Sequence, residues 1–134
     1  MSKMDHLGIA VRSIEQAARL YVQGLGLRLE RVEVVPEQGV KVGFLPLGEV
    51  EIEFLEPLSA ESAVARFLEK RGEGLHHLCI EVPDIRAAMA RLREQGARLL
   101  GEEPSPGAGG SLVVFVHPHS ANGVLLELCQ KRRE

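Results

Sequence analysis

One pattern occurs twice in this chain. His6-Leu7-Gly8-Ile9-Ala10-Val11, near the N-terminus, returns as His77-Leu78-Cys79-Ile80-Glu81-Val82. In each copy a histidine opens a run whose apolar residues fall on alternate positions, the period of a half-buried β-strand. A shift of 71 positions lays His6, Leu7, Ile9, Val11, Ile14 and Ala17 on His77, Leu78, Ile80, Val82, Ile85 and Ala88, and Phe44 on Phe115. Past a turn three residues longer, Val50 and Glu53 meet Val124 and Glu127 at a shift of 74. Matches that run from one strand through a helix into later strands are those of a duplicated module. Each histidine then holds the same place in its own copy and faces a common centre.

Read in order, each copy is βαβββ. His6 to Val11 is the first strand, and Ser13 with Gln16 has the capping-box form. Ile14, Ala17, Ala18, Tyr21 and Val22 make the apolar stripe of a helix that Gly24 and Gly26 end. Arg28 to Val35, Val40 to Leu45 and Val50 to Leu55 read as strands, the last two joined by a tight Pro46-Leu47-Gly48-Glu49 turn. Ala63, Val64, Phe67 and Leu68 mark a short helix stopped by Gly72 and Gly74. The second copy gives a strand at His77 to Val82 and a helix capped by Asp84. That helix turns Ile85, Ala88, Met89 and Leu92 inward and ends at Gly96. Strands at Arg98 to Gly101, Leu112 to His117 and Gly123 to Cys129 complete it. The expected fold class is α+β: two pseudo-symmetric βαβββ modules forming a curled mixed sheet around a metal-binding cavity. A single domain over 1–134 is expected, with module one at about 4–58, a linker helix at about 59–73 and module two at about 74–130.

With 134 residues and 45% apolar content, the chain can build one domain core. A net charge of -3 with both signs interspersed leaves no footprint for nucleic acid or an anionic membrane. The basic run Lys131-Arg132-Arg133 is read as solvated. No apolar run reaches the length of a membrane span, and the N-terminus lacks a secretory apolar region. Cys79 and Cys129 sit in apolar strands without a CxxC spacing, as reduced packing thiols of a cytoplasmic protein do.

The chemistry gathers in four residues. The first strand of each module carries a histidine and the last a glutamate: His6 and Glu53, then His77 and Glu127. Ile52 and Phe54 flank Glu53, and Leu126 and Leu128 flank Glu127, so each carboxylate faces away from its core neighbours. Taken singly, a histidine at a strand start is most often a satisfied core or surface residue, and a strand glutamate usually faces water. Four such residues at symmetry-equivalent places are another matter, because accident would have to strike both modules alike. An ionised carboxylate inside a sheet is costly unless paired. Two imidazoles with two carboxylates make a divalent metal the simplest partner, and these nitrogen and oxygen donors suit cobalt, manganese, nickel, zinc or iron. Glu51 shares a face with Glu53 and reads as a solvated charge; His76 points opposite to His77; His117 and His119 rank as supporting residues at best.

Several longer stretches carry a resemblance. Asp5-His6-Leu7-Gly8-Ile9-Ala10-Val11, Glu37-Gln38-Gly39-Val40, Glu53-Phe54-Leu55-Glu56-Pro57-Leu58, Phe67-Leu68-Glu69-Lys70, Gly72-Glu73-Gly74-Leu75-His76-His77 and His117-Pro118 through Gly123-Val124-Leu125-Leu126-Glu127-Leu128 resemble the methylmalonyl-CoA epimerase family of the vicinal oxygen chelate superfamily. The likeness spans nearly the whole chain in register. It implies a metal held by His6, His77 and Glu127, with Glu53 where the family has a glutamine or glutamate at or beside the ion. It also implies a homodimer, a cytosolic or matrix setting and a CoA thioester substrate. Cobalt is the first choice of metal, with manganese, nickel or zinc after it. The chain departs from the family twice: a glutamate that serves some members as acid/base on the third strand is Val42 here, and the lysine that commonly follows the His-Pro pair is His119.

The reaction so implied interconverts (R)- and (S)-methylmalonyl-CoA by a 1,1-proton transfer, with a metal stabilising the enolate. Two carboxylates on opposite sides of the substrate exchange the proton, and pseudo-symmetry supplies Glu53 and Glu127 as that pair. The loop Gly107-Ala108-Gly109-Gly110-Ser111 offers Gly109, Gly110 and Ser111 to the substrate carboxylate, although such loops are often only turns. The nearest rival is a glyoxalase I type lactoylglutathione lyase using the same four residues. A rival of another class is a metal-free binding or resistance protein of the superfamily, against which the retention of all four polar residues speaks.

Overall fold

The computed structural model of the chain describes residues 1–132, so Arg133 of the basic run lies outside the described residues. The strand-led pattern lays down the same elements twice. First come β1 (Lys3–Ala10), α1 (Ile14–Ala18) running on into a π-helical segment (Arg19–Gly24), β2 (Arg31–Val35), β3 (Val40–Leu47) and β4 (Val50–Pro57). After α2 (Ala63–Arg71) come β5 (Gly74–Glu81), α3 (Ile85–Glu94), β6 (Leu99–Pro106), β7 (Leu112–Val116) and β8 (Leu126–Gln130). The chain divides into two units, His6–His76 and Met1–Asp5 with His77 onward, the division falling inside β1 and β5. No helix among the described residues is long and apolar enough to cross a membrane.

In the first unit the strand order is β2-β3-β4-β1, with β1 parallel to β4 and the other pairs antiparallel. The alternation of the strands gives each face its own helix. α1 covers one face through Ile14, packed with Val11, Leu45 and Phe54, and Tyr21 meets the Phe54 ring edge-on at 5.0 Å. On the other face Val64 and Leu68 of α2 pack against Ala10, Val40, Val42, Phe44 and Leu55. α2 starts where Ser62 Oγ accepts the Ala65 N–H at 3.1 Å and ends at Gly72, φ 75°.

The second unit repeats the order as β6-β7-β8-β5, with β5 parallel to β8. Ile85, Ala88 and Met89 of α3 pack on Val82, Val114 and Leu128, while Cys79, Val113 and Cys129 form a cluster of their own. The registers carry the duplication down to single residues. Gly8 pairs with Glu53 and Cys79 with Glu127; Phe44 pairs with Glu53 and Phe115 with Glu127. Both leading helices begin alike as well. Ser13 Oγ accepts the Gln16 N–H at 3.2 Å, and Asp84 Oδ1 accepts the Ala87 N–H at 3.1 Å. The Ile14 N–H then donates to Glu56 Oε1 and the Ile85 N–H to Gln130 Oε1, both at 2.8 Å. A side chain from each module's last strand thus satisfies a helix-terminal donor that has no partner within its own helix.

Where sequence and structure differ, a neighbour is the reason. Pro46 and Leu47 belong to β3, and the turn is Gly48-Glu49 alone. Pro46 is tolerated because the β2–β3 pairing begins at Arg31↔Phe44, so Pro46 lies past the stretch where an N–H is required. β6 runs on to Pro106 through a register shift between Leu100 and Ser105, where Arg93 donates to the carbonyls of Gly101 and Glu102. β8 starts at Leu126 because Asn122 (φ 59°) and Gly123 (φ 85°) turn the chain first. Gly74 opens β5, and Gly72 alone stops α2.

Candidate functional site

In the first unit His6 stands opposite Glu51 and Glu53 opposite Gly8, which makes His6 and Glu53 diagonal neighbours on one face of β1 and β4. His6 Nδ1 lies 3.3 Å from Glu53 Oε2. Glu53 is fixed there because Phe54, fully buried, commits the next position to the α1 core. Phe44 flanks Glu53 across β3 and carries the Arg31 guanidinium 3.9 Å above its ring.

The second unit repeats the pair. His77 Nε2 lies 3.1 Å from Glu127 Oε1, and both residues are buried, at 6% and 7% exposure. Leu128, in the α3 core, fixes the alternation that turns Glu127 to the opposite face. The Phe115 ring, beside Glu127, stands edge-on to His77 at 5.9 Å. A buried carboxylate against an imidazole is tolerated when a proton or a cation lies between them. Each unit holds one nitrogen and one oxygen donor in contact, the donor types that borderline divalent ions take.

The other predicted residues fall into place around these pairs. Val42, 4% exposed, is seated under Val64 and Leu68 of α2. Glu51 is half-buried on the Glu53 face. His76 lies edge-on to Phe67 of α2 at 5.0 Å, on the alternate position to His77. His119 donates its N–H to His117 Nδ1 at 3.0 Å, and burial, then Arg98, then His119 hold His117 below the usual imidazole range. In the glycine loop the Gly107 N–H donates to the Ser111 carbonyl, and the Ser111 hydroxyl donates to the Ala108 carbonyl, both at 2.8 Å. The Ser111 N–H bonds to that carbonyl too, at 3.2 Å. Ser111 therefore closes the loop on itself, while Gly109 (φ 64°) and Gly110 (φ 77°) shape its tip.

Two features were not drawn from the sequence. Lys131, read as solvated, pairs with Asp5 at 2.9 Å; burial works against its charge, but the Asp5 carboxylate outweighs that and holds it above the usual lysine range. Cys79, directly opposite Glu127, shares a hydrogen bond with Cys129, and that bond together with burial pushes its thiol far up, so it stays protonated. The Asp5-His6 dipeptide of the N-terminal motif was the one available signal for the first. For the second, only the spacing of two cysteines on neighbouring strands was available.

The glyoxalase/bleomycin resistance protein/dioxygenase superfamily model matches residues 5–115. The ethylmalonyl-CoA/methylmalonyl-CoA epimerase of Cereibacter sphaeroides is 46% identical over 97% of this chain and 98% of its own. Among solved structures, a hypothetical protein of Bacillus halodurans C-125 superposes with a TM-score of 0.95 at 49% identity, over 99% of this chain and 96% of its own. A variant of Streptomyces coelicolor methylmalonyl-CoA epimerase in complex with 2-nitronate-propionyl-CoA superposes with a TM-score of 0.91 at 35% identity, over 98% of both chains.

Proposed function

This chain belongs to the glyoxalase/bleomycin resistance protein/dioxygenase superfamily, and we propose that within it the chain interconverts (R)- and (S)-methylmalonyl-CoA. The observation that carries the reading is a His–Glu contact, around a buried histidine, repeated in both units of a chain that matches epimerases over nearly its full length. His6, His77, Glu127 and Glu53 are proposed as the ligands of one divalent ion, cobalt first, with manganese, nickel or zinc as alternatives. Such an ion, held by these residues, would supply Lewis acidity to the thioester enolate. We further propose a cytoplasmic homodimer that binds its CoA thioester with the glycine loop near the substrate carboxylate. Gly109 and Gly110 offer it backbone N–H groups, and Ser111 keeps the loop closed around them.

The proton transfer falls to the carboxylates. Glu53 takes the C2 proton on one face and Glu127 returns one on the other. Val42, buried in the α2 cluster, has no proton to exchange, which leaves Glu53 as the base on its side. The test is epimerisation of racemic methylmalonyl-CoA, followed by Glu53→Gln. The variant retains metal, because an amide oxygen still coordinates, and loses about 10² to 10⁴ in rate, the usual cost of a general base. C2–H exchange with deuterium oxide persists from the face served by Glu127. Epimerisation by Glu53→Gln within about threefold of the parent would place the second base elsewhere. Turnover of a glutathione hemithioacetal in preference to the CoA ester would overturn the substrate reading.

A further inference from the structure

The duplicated registers set the same row of residues beside each glutamate, with a difference at its outer end. In the second unit Leu100 pairs with Phe115, Phe115 with Glu127, and Glu127 with Cys79. In the first, Arg31 pairs with Phe44, Phe44 with Glu53, and Glu53 with Gly8. Residues directly opposite one another share a face of the sheet, so Arg31, Phe44 and Glu53 stand in line. Arg31 and Leu100 hold the same seat, and both are exposed. Arg31 does not simply trail into solvent. Its guanidinium lies 3.9 Å above the ring of Phe44, the buried residue that adjoins Glu53. Nη1 donates to Glu30 Oε1 at 3.0 Å, and Nε lies 3.5 Å from Glu33 Oε2. Glu30 is shared with Arg28 at 3.2 Å, and exposed pairs of this kind orient a side chain more than they stabilise it. Among the described residues these contacts engage Nη1 and Nε, which leaves the two N–H groups of Nη2 for another acceptor.

We propose that Arg31 is a substrate-binding residue, its guanidinium taking the carboxylate of the acyl group beside Glu53. The inference rests on the substrate and the base proposed above. A base at Glu53 has to meet C2 within hydrogen-bonding reach, and the acyl carboxylate is one bond from C2. The phosphates of CoA are also anionic, but they stand at the far end of the pantetheine arm. Guanidinium suits the nearer group, because its fork matches the two oxygens of a carboxylate. The glycine loop offers that carboxylate neutral N–H groups, and Arg31 adds the positive charge. A malonyl thioester carries one such carboxylate, so one module needs the cation and the other does not. Leucine at the equivalent seat of the second module agrees with that asymmetry.

Steady-state kinetics of the cobalt-loaded parent, Arg31→Gln and Arg31→Lys with methylmalonyl-CoA test the assignment. Inhibition of each by propionyl-CoA, which keeps the phosphates and lacks the carboxylate, separates the two anionic groups. Arg31→Gln raises KM by about tenfold or more, the worth of a charge-assisted hydrogen bond. It lowers kcat by less than about threefold, because the contact is made in the ground state and the transition state alike. Arg31→Lys keeps the charge without the fork, and its KM falls between the other two. The inhibition constant of propionyl-CoA stays within about threefold of the parent in both variants, as it does only if the site is intact. Equal weakening of propionyl-CoA would move Arg31 to the phosphates and overturn the carboxylate assignment. A KM for Arg31→Gln within about threefold of an active parent would overturn this inference alone. A parent that leaves methylmalonyl-CoA unchanged would overturn the proposed function, and this inference with it.

Discussion

Glu53 and Glu127 hold equivalent seats, but their surroundings are not equivalent. Glu53 has Arg31 stacked on the neighbouring Phe44, whereas Glu127 has the fully buried Cys79 directly opposite and Phe115 edge-on to its histidine. The pairing of His6 with Glu53 and of His77 with Glu127 was legible in the sequence because each interrupts an apolar alternation, and a polar residue in such a run must be explained. Asp5, Lys131 and the self-closing role of Ser111 were not legible, because strand pairing and a loop's own hydrogen bonds set their contacts. His117 yields a prediction at this scale. Its folded pKa lies below the ordinary 6.5, with burial the largest cause and Arg98 the next. The unfolded chain therefore binds the proton more readily. His117 contributes its stability fully above pH 6.5 and loses it as pH falls through the unfolded value towards the folded one. A proton-NMR titration of the His117 ring gives a midpoint under 6.5, and Arg98→Ala moves it only part of the way up. No upward movement in Arg98→Ala would remove Arg98 as a cause.

At the scale of the elements, propensity and pattern located β1 to β8 and α1 to α3, and their ends were set by contacts the pattern does not hold. Ser13, Ser62 and Asp84 cap their helices through local bonds three residues ahead, and a local bond is what sequence can show. The bonds from Ile14 to Glu56 and from Ile85 to Gln130 span 42 and 45 residues, and only the finished sheet brings them about. Because the two are equivalent, Glu56→Ala and Gln130→Ala should each cost about 1–3 kcal/mol by orphaning a part-buried N–H. Urea unfolding checks this: both midpoints fall while the slope stays unchanged. Gln130→Glu, which keeps the acceptor, should come within about 0.5 kcal/mol of the parent. The motif Glu37-Gln38-Gly39-Val40 has a similar physical origin. Gly39 sits at φ 67°, where a Cβ would stand 2.9 Å from that of Ser62 at the start of α2. Gly39→Val combines backbone strain with that clash and should cost about 2–4 kcal/mol, with a lower thermal midpoint as the measure.

For the whole molecule, the duplication limits how a metal can be held. Each unit by itself offers one histidine and one glutamate, and two donors are too few for a structural or catalytic divalent ion, which takes four or more ligands. Two half-sites binding separately would give up to two weak ions per chain, each lost with its own histidine and independent of the other. One ion taking His6, Glu53, His77 and Glu127 together gives one per chain, lost entirely when either histidine is removed. An ion bound this way is absent from the unfolded chain and stabilises the folded one by about 2.7 kcal/mol at a hundredfold excess over Kd. Thermal unfolding of the chelator-treated protein, with and without added cobalt, reads that stabilisation. The expected outcome is a cobalt-dependent rise in the midpoint for the parent and none for His6→Ala or for His77→Ala, although the two substitutions lie in different units. Elemental analysis should give about one ion per parent chain and close to none in either variant. If each variant keeps about half of the metal and half of the rise, the units bind separately. The proposed enzyme would then lack the shared centre that its two carboxylates need to act on one substrate.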